Sequence, residues 1–229
     1  MKPAVLLLHG ALGSKDSLAP LMPLLEEWCT VYPINFAGHG GTAPSTEGMT
    51  VDALTRQVIH TVNQIPEDTV WVFGYSMGGY IALNAALQQP SKMAGVITLA
   101  TKMHWDADIA AAECQKLNPA VVLEKVPKFA EALERMHAPQ SWQLLMQHTA
   151  TFLQELGENN PLSNDNLQSM KLPCCCLLGE EDRMVSWEET LAAAKAMNAE
   201  SHKLAASAHA FEKTNMPALA EAILNFIRK

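Results

Sequence analysis

Apolar residues in this chain gather in short consecutive runs bounded by turn-forming residues, with stretches of helical spacing between them. The runs fall at 5–8, 31–34 (interrupted by Pro33), 70–73, 96–99 and 174–178, with a weaker sixth at 202–205. Apolar side chains on successive rather than alternate positions mark strands buried on both faces, as in a parallel sheet. Residues 51–64 and 80–89 read as helices, the latter stopped by Pro90. Over 217–227, Leu219, Ile223, Leu224 and Ile227 share one helical face. This alternation predicts an α/β fold: an open, mostly parallel sheet of about six strands with helices on both faces.

Residues 102–168 break the rhythm. Helical spacing replaces strand-like runs there: Phe129, Leu133 and Met136 share a face, as do Trp142, Leu145, Met146, Thr149 and Leu153. Pro119, Pro127, Pro139 and Pro161 divide the segment into four short helices. A helical insertion between two strands of one sheet reads as a lid. The expected organisation is therefore a core of 1–101 and 169–229 with a helical cap at 102–168, inserted after the fourth strand. A separate helical domain is the alternative, less favoured on size.

The chain has 229 residues, 48% hydrophobic and 17% charged, which fits a folded, soluble protein rather than a disordered one. A formal charge of -8 repels phosphate backbones and anionic lipid. A small-molecule substrate is thus expected, without nucleic-acid or membrane partners, for a monomer or homodimer. The five cysteines lack metal-ligand spacing, and Cys174, Cys175 and Cys176 are consecutive. They read as buried free thiols, with no metal site and no disulfide framework. Lys2 followed by residues 4–8 imitates a secretory signal, but five apolar residues fall short of the roughly 7 to 15 that a signal core needs. The expected location is cytoplasmic.

The sharpest chemical signal is Gly74-Tyr75-Ser76-Met77-Gly78-Gly79, lying between a strand-like run and a helical one. A G-x-S-x-G sequence in that setting displays its serine on a tight strand-to-helix turn. The helix dipole there favours developing negative charge. His9-Gly10-Ala11-Leu12-Gly13 follows the first run, and a glycine-rich turn at that point can aim a backbone N–H at the same centre. The backbone N–H groups of Ala11 and Met77 are the candidate oxyanion hole. His9 itself reads as structural.

Of the eight histidines, His60 lies on a surface-type helix, His104, His137 and His148 in the lid, His39 in a turn and His202 in the last strand. His209 stands just past that strand, where catalytic groups of open parallel sheets gather. It is the candidate base. Asp182, in the loop after the fifth strand, is the candidate acid that fixes its tautomer. Glu180 or Glu181 is the alternative, with Asp106 and Asp108 in reserve.

These motifs together resemble the α/β-hydrolase fold, in its branch of small esterases and metabolic hydrolases with a helical cap. The resemblance rests on His9-Gly10, Asn35-Phe36-Ala37-Gly38-His39-Gly40, the elbow at 74–78, Gly179-x-x-Asp182-x-x-Val185 and His209, in the order Ser, Asp, His. The sequence opens at what is the third strand of that family, Asn35 stands where aspartate is common, and Ala208 replaces the usual glycine before the histidine. The residues imply acyl transfer through Ser76, His209 and Asp182, without metal or organic cofactor. The expected function is a serine hydrolase for a carboxylic ester or thioester of small to medium acyl size. A non-hydrolytic relative, such as a menaquinone-pathway lyase or synthase, or a ligand-binding protein on the same fold, is the alternative. Met77, Met103, Trp105, Met136, Trp142, Met146, Met184 and Trp187 are candidate pocket residues, and Lys102 with His104 a candidate carboxylate site.

Overall fold

The computed structural model describes residues 2–88 and 91–229; Gln89 and Pro90, read above as a helix end and its stop, lie outside the described residues. The six apolar runs become β1 (Ala4–Leu8), β2 (Thr30–Ile34), β3 (Val70–Tyr75), β4 (Met93–Leu99), β5 (Cys174–Gly179) and β6 (Glu200–Leu204). Among the described residues they form one sheet, in the order β2-β1-β3-β4-β5-β6, with every pair parallel. Side chains of a strand alternate between faces. Leu6 and Leu8 of β1 accordingly join one core layer, and Val5 and Leu7 the other.

The same alternation accounts for the three consecutive cysteines. Cys174 and Cys176 lie in one layer and Cys175 in the opposite one, all buried. Burial pushes the Cys175 thiol up to about 12 and that of Cys176 to about 11. These groups are packing residues, protonated at neutral pH. The weak patterning of the outer runs also has a cause. Pro33 lies on β2, an edge strand that tolerates its missing N–H, and Glu200 to Lys203 lie on the other edge.

Helices α1 (Met22–Glu26), α2 (Val51–Gln64) and α3 (Met77–Leu87) intervene in the first half of the sheet. The α3 helix begins at Met77 rather than Tyr80, because Gly78 and Gly79, weak helix formers, are held in it by the packing around them. Five helices rather than four connect β4 to β5: α4 (Ala107–Cys114), α5 (Pro119–Lys125), α6 (Pro127–His137), α7 (Trp142–Glu158) and α8 (Asn164–Gln168). Pro119 and Pro127 begin helices, as the missing N–H permits at that position. The extra helix is α4, set off by no proline; its first turn is capped by Asp106, whose Oδ1 accepts from Ile109 N–H at 2.8 Å. Phe129 is 46% exposed, so the buried stripe of α6 runs instead through Ala130, Leu133 and His137.

Helices α9 (Trp187–Ala196) and α10 (Met216–Ile227) complete the chain. One face of the sheet is covered by α2, α3 and α9, and the other by α1 and α10. Leu145, Phe152 and Leu156 of α7 join the first layer, while Leu133, Trp142 and Met146 form a small core of their own. No described helix is long and apolar enough to cross a membrane.

Candidate active site

In chain order, β1 is followed by a strand on one side of it and then by β3 on the other. The carboxyl ends of β1 and β3 therefore flank the point where the winding reverses, the place where open α/β sheets leave a crevice. Ser76 follows β3 at this point, with φ 51° and ψ −117°. A side chain in that conformation costs on the order of 1–3 kcal/mol and persists only when its surroundings hold it. Here Ser76 N–H donates to Leu99 O at 2.8 Å, and Ser76 O accepts from the N–H groups of Gly79 and Tyr80 at 3.0 and 3.1 Å. The Thr101 hydroxyl donates to the same oxygen at 3.2 Å. Gly78 lets the helix start approach β1: a Cβ there would lie 2.6 Å from the carbonyl oxygens of both Leu8 and His9.

The turn after β1 is closed by Gly13 N–H donating to Gly10 O at 3.1 Å. His9 is fully buried beneath it. Its Nε2 accepts from Phe36 N–H at 3.1 Å, which leaves the proton on Nδ1 to donate to Gly10 O at 2.8 Å. Burial lowers its pKa to about 4, so the ring is neutral at pH 7 and structural, as expected. Asn35 also ties loops together, accepting from Lys15 N–H at 2.7 Å and donating to Gly40 O at 3.1 Å. His39 is buried beside His9, and the structure adds a third buried histidine from the helical segment. His137, at the end of α6, donates through Nε2 to Leu12 O at 3.1 Å and accepts at Nδ1 from Gly40 N–H at 3.0 Å.

Asp182 and His209 meet at the ends of β5 and β6. Asp182 Oδ1 accepts from the N–H groups of Met184 and Val185 at 2.8 and 2.9 Å, and Oδ2 from His209 Nδ1 at 2.9 Å. Burial alone raises the pKa of this carboxyl, but the bonds from His209, Val185 and Met184 outweigh it and leave it below the usual range. Its side chain is fully buried, whereas that of His209 is 17% exposed. With the Nδ1 proton held by the carboxylate, Nε2 presents a lone pair. Glu180 and Glu181 are exposed, and Asp106 is engaged as the α4 cap.

Ala11, Ser76, Met77 and His209 line one cavity of about 200 Å³. Trp105 and Met184 line it too, as anticipated from the sequence. Five other anticipated pocket residues lie elsewhere. Met103 is buried in the core beside a neighbouring cleft, and the Met136 sulfur faces the Ser17 hydroxyl at 4.0 Å. Trp142 and Met146 fill the small core of the helical segment. Trp187 packs on the opposite face of the sheet, under Lys203. His104 is exposed beside Asp106, and Lys102 is paired with Glu189 at 3.3 Å. The cavity wall also includes Tyr80, Leu117, Phe152 and Leu156, which the sequence reading did not name. Extending the Leu145–Thr149 stripe of α7 by one and two turns reaches the last two.

A family model described as alpha/beta hydrolase fold matches residues 3–174. The chain is 33% identical over 98 residues to a pimeloyl-[acyl-carrier protein] methyl ester esterase of Xylella fastidiosa, a stretch covering 43% of this chain and 36% of that protein. It is 28% identical over 88 residues to the 2-succinyl-6-hydroxy-2,4-cyclohexadiene-1-carboxylate synthase of Pectobacterium atrosepticum, covering 38% and 34% respectively. The chain thus spans about a third of the length of the curated relatives it matches. The solved structure of MenH from S. aureus superposes with a TM-score of 0.80 at 18% identity, over 99% of this chain and 93% of that one.

Proposed function

Since this chain belongs to the alpha/beta hydrolase fold family, we propose that it is a serine hydrolase cleaving a carboxylic ester or thioester of a small to medium acyl group. The observation that carries the reading is the 2.9 Å bond between Asp182 and His209 at the wall of the cavity that Ser76 also lines. In this mechanism His209 Nε2 takes the Ser76 hydroxyl proton as Oγ attacks the acyl carbon. Asp182 stabilises the imidazolium, and the Ala11 and Met77 N–H groups receive the oxyanion. His209 then returns the proton to the leaving oxygen or sulfur, giving an acyl-enzyme. A water, deprotonated by the same ring, attacks the acyl-enzyme and releases acid and free Ser76.

Residues 102–168 act as a cap over a core of 1–101 and 169–229. Phe152 and Leu156 of α7 supply cavity wall facing the serine, which supports this division. The synthase-like alternative suits a cavity with an unpaired cation for a polyanionic substrate. Arg135, the one arginine of the cap, is 72% exposed and sits 4.0 Å from Glu131, outside the cavity wall. Hydrolysis of p-nitrophenyl acetate, butyrate and octanoate by the wild type and by Ser76→Ala tests the reading. Turnover lost in the variant supports it. Turnover retained in Ser76→Ala contradicts it.

A further inference from the structure

The cavity wall carries eight polar or charged side chains: Ser76, Tyr80, Lys102, Trp105, Glu113, Lys116, Thr149 and His209. Apart from Ser76, each is bonded within the chain, His209 donating through Nδ1 to Asp182 Oδ2 at 2.9 Å. Tyr80 Oη donates to Asn160 Oδ1 at 2.6 Å, and Thr149 Oγ1 to Leu145 O at 2.8 Å. Trp105 Nε1 donates to Lys102 O at 3.2 Å, and Lys116 bonds both oxygens of Glu113 at 2.8 Å.

Lys102 is the informative member. Its ammonium lies 3.3 Å from Glu189 Oε2 and 5.9 Å from the centre of the Trp105 ring. Glu189 lines the neighbouring cleft rather than this cavity. It is fixed by accepting at Oε1 from the N–H groups of Met103 and His104 at 2.8 and 2.9 Å. The side chains of the pair are 22% and 16% exposed, so the two charges compensate each other in a largely dry setting. The cavity therefore combines an apolar wall with cations that are already matched.

We infer that the cavity accepts an uncharged aliphatic acyl group, and that the Lys102–Glu189 pair discriminates against acyl chains ending in a carboxylate. The inference rests on the serine-hydrolase reading of the same site. An apolar chain gains from every methylene removed from water. A terminal carboxylate entering this cavity loses its hydration and meets only lysines whose charges are already matched, Lys102 by Glu189 and Lys116 by Glu113. The overall charge of -8 adds to the disfavour.

The test compares kcat/KM for p-nitrophenyl hexanoate with that for the mono-p-nitrophenyl ester of adipic acid, which differs in its ω-carboxylate. The wild type is expected to prefer the neutral ester by about tenfold or more. Glu189→Gln, which keeps an acceptor for the two N–H groups and uncovers the Lys102 charge, is expected to narrow that preference severalfold. Equal or faster turnover of the charged ester by the wild type overturns the inference, and this arm stands even where the variant fails to fold. A neutral preference that Glu189→Gln leaves intact removes the pair from the account and overturns it as well. No turnover of either ester, with no fluorophosphonate labelling of Ser76, sinks the serine-hydrolase reading itself and is distinguishable from those outcomes.

Discussion

The Tyr75 hydroxyl donates to the backbone carbonyl of His209 at 2.9 Å, joining the strand that leads into Ser76 to the loop that carries the candidate base. The two rings lie 5.9 Å apart, and the Tyr75 ring also packs on Phe211 at 5.1 Å. The residue before Ser76 thus anchors, through the backbone, the loop that holds the imidazole at the cavity wall. Tyr75→Phe keeps the ring and removes the bond. A bond of this kind is worth about 1 kcal/mol, which corresponds to a roughly fivefold fall in kcat when fully expressed in the transition state. The expected pattern is a lowered kcat with KM little changed and a small drop in Tm. An equal change in KM alone points to a wall contact instead.

Asp182→Asn keeps the shape of the side chain while removing its charge. Asparagine can donate toward Nδ1 and so favour the wrong imidazole tautomer, and kcat is expected to fall by roughly four orders of magnitude. The same substitution has a stability signature. Because the folded-state pKa of Asp182 is lowered, its bonds contribute fully above the ordinary carboxylate range and are lost as pH falls through the lowered value. The acid limb of a denaturation midpoint plotted against pH should therefore be shallower in the variant below about pH 4. An unchanged limb contradicts the assignment.

His9, His39 and His137 cluster under the turn that carries Ala11, with ring centres of His9 and His39 at 4.9 Å and of His39 and His137 at 5.9 Å. Burial lowers all three pKa values, that of His9 to about 4. A histidine with a lowered folded-state pKa binds its proton more readily when unfolded. Stability is therefore complete above about pH 6.5 and declines as pH falls from there toward the folded values, by up to about 1.4 kcal/mol per pH unit for each group. Denaturant midpoints between pH 7.5 and 4.5 should show this decline in the wild type, and a smaller one in His137→Gln. A flat profile overturns the account.

Gly78→Ala places a methyl 2.6 Å from two carbonyl oxygens of the chain, where backbone rather than a pliant side chain must move. The expected cost is about 1–3 kcal/mol, as for an overpacked core, with loss of turnover on the p-nitrophenyl esters exceeding the loss of folded protein. Thermal melts alongside specific activity per folded molecule check it. A variant with wild-type Tm shows that the elbow relaxes without strain.

Much of this arrangement was legible in the chain because it is local. Consecutive apolar residues marked β1, β3, β4 and β5, and glycines around Ser76 marked the elbow. Asp182 and His209 stood out by lying just past the strand-like runs at 174–178 and 202–205, the side on which a parallel sheet gathers its ligands. What stayed hidden is what depends on distant partners. Tyr75 meets His209 across 134 residues and His137 meets Leu12 across 125, and no spacing rule reports such pairs. Pocket residues were legible only in part, three of the eight anticipated, for a related reason. Met136, Trp142 and Met146 share the composition of a cavity wall, but which side of a helix faces the cavity is decided by tertiary packing, and these turn inward among α5, α6 and α7 or toward the β1 loop.

The central claim is that Ser76 is a nucleophile activated by His209 and Asp182. Intact-mass spectrometry after brief exposure to a fluorophosphonate, followed by peptide mapping, tests it most directly. The account predicts one adduct per wild-type chain, mapped to Ser76, with none at that position in Ser76→Ala and labelling slowed by orders of magnitude in His209→Ala. An adduct on another residue, or equal labelling rates in the wild type and His209→Ala, contradicts it.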